Sequence, residues 1–216
     1  MTMTRSNKFA LRLAAGALFG ALVGPGLAHL VMYFDLPVGG FSLTPGGVVL
    51  AAVGGLYVLM GLFVLIGALW PSLGTLILNV ADEEDLRERQ AMLRASALVS
   101  LGLGAALALL PFAGKDGPVA PQAALAALAG ALVLGMVHSW LATKRRHYDE
   151  LWSHLSIEAA VIALIMLSVL MLIWGVMAYL GMAGPFDPLL AVAAPPGLYL
   201  LSSFIAAGRK GLLAAD

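Results

Sequence analysis

Glu150, His154 and Glu158, with His147 one turn before Glu150, recur at spacings of three and four residues at the start of a long apolar run. On an α-helix such spacings put the side chains on one face. A carboxylate inside a membrane span is expensive and commonly handles protons or cations with a named partner. The partner available here is His138, near the end of the preceding apolar segment. Antiparallel pairing of those two segments would bring His138 to the depth of Glu158. His138, His154 and Glu158 are therefore the candidate proton or cation site. The preferred reading is plainer: Glu158 lies close enough to the interface to reach water and pairs with His154 or Arg146, because the cost of a charge falls steeply there.

Other chemistries are poorly supplied. Nothing matches His-Glu-x-x-His, so no metal site is expected. His29 and His138 fall near opposite ends of their segments and cannot ligate one haem, and no cofactor is expected. The chain has no cysteine, which removes thiolate nucleophiles and Cys-ligated metals. It also has no Gly-x-Ser-x-Gly and no paired intramembrane aspartates, so no catalytic residue is assigned. An interfacial lipid-handling enzyme around His147–Glu158 stands only as a third reading.

Two Gly/Pro runs form a second candidate. Gly24-Pro25-Gly26 and Pro195-Pro196-Gly197 each fall in the outer half of an apolar segment, where such breaks can line a transport cavity. An ordinary proline kink is the preferred alternative. Gly16, Gly20 and Gly24 recur every fourth residue and form a candidate helix-packing stripe.

The elements that carry these residues follow from composition. Hydrophobic residues make up 61% of 216 residues and mean hydropathy is +0.96, against roughly 45–50% apolar in soluble chains. The expected fold class is an all-α integral membrane protein with six transmembrane helices, forming one domain over residues 1–216. A span needs about 20 apolar residues. The expected spans are Phe9–Tyr33, Val48–Trp70, Ala95–Phe112, Gln122–Leu141, Ile157–Leu180 and Pro188–Ala207. The first also has features of a cleavable leader and is read as a retained span.

Between the second and third spans lies Ala81–Arg94, ADEEDLRERQAMLR, which holds eight of the charged residues. Asp82 and Asp85 suit a helix start, and Arg94 would complement the opposite end of the dipole. Glu83–Arg87 and Asp85–Arg89 are i,i+4 pairs with the acid first. A helix here is expected to run on into the third span. Asp82, Glu83, Asp85, Arg87 and Arg89 form a candidate cytoplasmic docking surface. A second interfacial helix is expected over His147–Ser156, and Pro71–Val80 is expected to lie along the membrane surface.

With six spans and both termini in the cytoplasm, Arg5, Lys8, Arg12, Arg87, Arg89, Arg94, Lys144, Arg145, Arg146, Arg209 and Lys210 face inside. Lys115 alone faces outside. That bias obeys the positive-inside rule. The composition has a bacterial cast, so the inner membrane is the expected location. A 64-residue shift lays Asp85 on Asp149 and Ala95 on Ala159, too little to establish a repeat. The net charge of zero argues against a nucleic-acid partner. The expected partners are the lipid bilayer and other membrane-protein subunits or further copies of this chain. The leading functional expectation is an accessory or interaction subunit, ahead of a small transporter or channel.

Overall fold

The computed structural model describes residues 43–78, 83–113, 117–144 and 150–210. The first expected span, with Gly16, Gly20, Gly24, Pro25, Gly26 and His29, lies outside them, as do Asp82, Lys115, Arg145, Arg146 and His147. Among the described residues the elements are α1 (Pro45–Leu69), α2 (Pro71–Ile77), α3 (Glu83–Leu109), a 3-10 turn (Leu110–Phe112), α4 (Pro121–Lys144), α5 (Glu150–Tyr179) and α6 (Pro188–Arg209). There is no strand. Five helices are long and apolar enough to cross a membrane: α1, α3 with its 3-10 turn, α4, α5 and α6. The described residues are all helix, turn and loop, and their five apolar helices fit a multi-pass membrane protein.

Local sequence sets the ends of these helices. Thr44 caps α1 by accepting from Gly47 N at 3.1 Å, and Pro45 follows at the first helical position. Asp187 and Pro188 repeat the device at α6. Gly181 takes a φ of 72° beyond α5. Its N–H reaches Ala178 O at 3.1 Å and Met182 N reaches Met177 O at 2.8 Å. That double closure is a Schellman cap, which favours a residue without Cβ. Trp174 and Phe186 close the turn edge to face, with ring centres 5.2 Å apart.

As expected, the charged island runs on into the third span; the helix-end role of Arg94 and the separate interfacial helix are what change. The charged island and the third span are one helix, so Arg94 lies in the interior of α3 instead of at a helix C-terminus. The expected interfacial helix is likewise continuous with the fifth span from Glu150 onward. No glycine or proline interrupts either join, so the backbone ladder carries on through the change in polarity.

The extensive helix contacts place α4 on α3, α3 on α1, α1 on α6 and α6 on α5. The tightest seam is antiparallel, between α1 and α3. A Cβ on Gly47 would stand 3.3 Å from Pro111 Cβ, one on Gly104 would stand 2.6 Å from Val58 N and 2.7 Å from Gly54 O, and one on Gly61 would stand 2.9 Å from Ala97 O. One layer further, Gln90 Nε2 donates to Ala68 O at 2.6 Å. Gly47, Gly54, Gly61 and Ala68 thus recur every seventh residue, opposite Pro111, Gly104, Ala97 and Gln90 running the other way. A seven-residue repeat keeps one narrow face turned toward its partner, and small residues let the two backbones approach. Leu50, Leu107 and Ala193 join α1, α3 and α6 beside this seam in the buried core, with Leu128 of α4 packed against them.

Candidate functional site

His138 and Glu158 each have a definite neighbour, and these neighbours differ from those the sequence suggested. His138 on α4 shares a hydrogen bond with Ser96 of α3, Oγ to Nε2, at 3.1 Å. Glu158 on α5 pairs with the end of α6, at 3.2 Å from Arg209 and 4.0 Å from Lys210. The structure therefore gives His138 and Glu158 separate partners on separate helices. The expected α4–α5 pairing is replaced by α4 on α3 and α5 on α6. His154 is exposed one turn before Glu158, and Arg146 lies outside the described residues. Leu155, Ala159 and Ala206 form a small buried cluster beside the ion pair, so small side chains again set the α5–α6 approach. Arg209 also sits in the last turn of α6, where a cation complements the dipole. Among the described residues no group of three His, Cys, Asp or Glu could hold a metal ion.

Pro195-Pro196-Gly197 is a proline step within continuous helix α6. The two prolines remove the amide donors that would reach the Ala191 and Val192 carbonyls, yet their fixed φ fits the helix. The step is braced from α1. Tyr57 donates its hydroxyl hydrogen to Pro196 O at 3.1 Å, and a Cβ on Gly197 would stand 3.2 Å from Val53 Cγ2. The small residue here admits a neighbouring helix.

The charged island shows both expected pairs. Asp85 and Arg89 are 2.7 Å apart, and Glu83 and Arg87 are 3.9 Å apart and well exposed. Its other face is not solvated. Leu86 is fully buried, against Gly74 of α2, and Gln90 caps the C-terminal end of α1. The side that carries the candidate docking residues Glu83, Asp85, Arg87 and Arg89 is thus held in place by the opposite side of the same helix.

Sequence reasoning missed the group with the most partners. Asp187 accepts from Leu189 N at 2.8 Å through Oδ1, which caps α6, and from Gly46 N at 3.0 Å through Oδ2, in the first turn of α1. The Leu189 amide first, then Thr44 and the amides of Gly46 and Leu190, hold its carboxyl below the usual carboxylate range, against a smaller opposing effect of desolvation. One carboxylate therefore ties together the starts of two helices that are 141 residues apart in sequence. A side chain on Gly46 would run into that carboxylate. Thr-Pro-Gly-Gly and Asp-Pro were the available signals, but each reads as a local cap, and nothing in the sequence joins them.

No family model, curated protein or solved structure matches this chain.

Proposed function

We propose that the chain is an accessory or interaction subunit of a membrane assembly. The observation that supports this is the uneven covering of the helices. In its most apolar window α3 has 33% of residues buried, while α4 has 11% and α5 has 6%. Around Gly130 on α4 and Gly175 on α5 the space a Cβ would take is open, with no neighbour within 4 Å among the described residues. Small residues on an uncovered apolar helix permit close approach by another helix. In this reading the six-span arrangement, with Phe9–Tyr33 as the first span, leaves α4 and α5 available to partner subunits or to further copies of the chain.

The same proposal places both termini in the cytoplasm of a bacterial cell, with the chain in the inner membrane. Support comes from charge: Arg87, Arg89, Arg94, Arg209 and Lys210 gather toward the end where Glu158 meets α6, and the described residues at the Asp187 end carry no Lys or Arg.

Extraction in a gentle detergent followed by native electrophoresis tests the subunit proposal. The expected result is a species larger than the monomer, lost on Gly130→Leu or Gly175→Leu with the fold intact. A clean monomer both in detergent and after cross-linking in native membranes would sink it. The transporter reading has less support, since its second Gly/Pro run is filled from α1 by Val53 and Tyr57.

A further inference from the structure

Among the described residues, Arg94 is the one cation of the charged helix for which the structure supplies no acid. Arg87 has Glu83, Arg89 has Asp85, and Arg209 on α6 has Glu158. Arg94 has no hydrogen bond or ion pair among the described residues, and its Nε is buried without an acceptor. It sits four residues beyond Gln90 and three before Ala97, both of which face α1, so it shares the α1 side of the helix. Its stem is therefore rooted beside the α1–α3 seam. The side chain as a whole is only half-buried, and of the guanidinium nitrogens Nε alone is enclosed. Burial of Nε fixes the root of the planar fork and leaves its two terminal nitrogens free to donate.

Depth completes the picture. Four residues of helix rise about 6 Å, so Arg94 lies roughly one turn deeper than Gln90. Gln90 is level with Ala68, just before the exposed Trp70 that ends α1. A tryptophan at a span end marks the headgroup level. An arginine about 9 Å below that level, at roughly 1.5 Å per residue, is within reach of lipid phosphates by extending its head toward them. The negative end of the α1 dipole favours the charge here but provides no acceptor for it.

We propose that Arg94 binds the phosphate of an anionic phospholipid headgroup, held by its two terminal nitrogens, at the end of the α1–α3 seam. A planar guanidinium presents paired donors that match two phosphate oxygens, which a lysine cannot reproduce. The remaining arginines of the helix have their own carboxylates and contribute less.

The test uses the full chain in mixed micelles of phosphatidylcholine and phosphatidylglycerol, with retained lipid read by native mass spectrometry. Wild type is expected to retain phosphatidylglycerol selectively. Arg94→Gln should lower that retention about tenfold, the loss expected for a charged hydrogen-bonded contact. Arg94→Lys should retain an intermediate amount, and Arg89→Gln should match wild type. Inorganic phosphate is the second arm: failure to displace the lipid at millimolar concentration assigns the site to a headgroup, and displacement assigns the same phosphate chemistry to a soluble anion. Equal retention by wild type and Arg94→Gln, or equal loss in Arg94→Gln and Arg89→Gln, overturns the proposal. Helical circular dichroism of each variant separates loss of the contact from loss of the fold, and Arg94→Lys carries the test if Arg94→Gln does not fold.

Discussion

The seam between α1 and α3 and the uncovered sides of α4 and α5 are built from similar residues put to opposite use. Both are rich in Ala, Gly and Leu. In the seam, Gly54, Gly61 and Gly104 are filled by the facing backbone, to the point that no Cβ fits. Around Gly130 and Gly175 the same lack of a side chain meets no neighbour among the described residues. A glycine in a membrane helix therefore does not announce a contact. It becomes one only when a partner surface arrives in register, and lipid cannot supply the rigid complement that a second helix does.

The contrast is broken most directly by filling it. Gly54→Leu and Gly104→Leu must push two backbones apart and are expected to cost about 1–3 kcal/mol or more. Gly130→Leu and Gly175→Leu should leave the isolated chain unchanged. Thermal unfolding in one detergent compares all four, and equal melting temperatures would remove the distinction between seam and bare face.

The next effect concerns the end of the seam. Asp187→Ala and Gly46→Ala should both lower the melting temperature, since one removes the shared carboxylate and the other drives a methyl into it. Because the folded-state carboxyl is held below its ordinary range, its contribution is complete above that range and disappears as pH falls through the folded value. Wild type should accordingly lose stability on acidification below the usual carboxylate range, and Asp187→Asn should lose less over the same interval. Parallel pH profiles for the two would disprove the clasp.

Single polar ties between helices come third. Gln90→Leu strands the Ala68 carbonyl and should cost about 1 kcal/mol. Tyr57→Phe leaves Pro196 O with less, and interhelical hydrogen bonds in membranes average about 0.6 kcal/mol. If Tyr57→Phe destabilises more than Gln90→Leu, the proline step in α6 is a more strained point than the packing suggests.

The smallest change is expected at Glu158. Its pairing with Arg209 and Lys210 lies at a partly solvated helix end, with side-chain exposures of 26% for Glu158, 66% for Arg209 and 47% for Lys210. Such pairs contribute about 0–1 kcal/mol. Glu158→Gln should therefore unfold nearly as wild type does, while a loss of several kcal/mol would mean a charge far better shielded from water than these exposures allow.

Much of the architecture was written in the chain. Apolar runs of about 20 residues can satisfy their backbone only as helices in a bilayer, so five long helices follow from composition wherever the chain is described. The island's internal ion pairs were legible for the same local reason: residues four apart on a helix meet whatever surrounds them. Even the seven-residue recurrence of Gly47, Gly54, Gly61 and Ala68 stood in the sequence, without the facing surface that gives it meaning.

Tertiary structure alone decided which helices are neighbours. Hydropathy measures how well a helix suits lipid and is nearly the same around the whole circumference of these spans, so it carries little information about which face meets which. That is why His138 belongs to Ser96, Glu158 to Arg209, and Asp187 to the start of a helix 141 residues away. Each of those choices depends on close packing between surfaces distant in sequence, and only the assembled bundle brings them into contact.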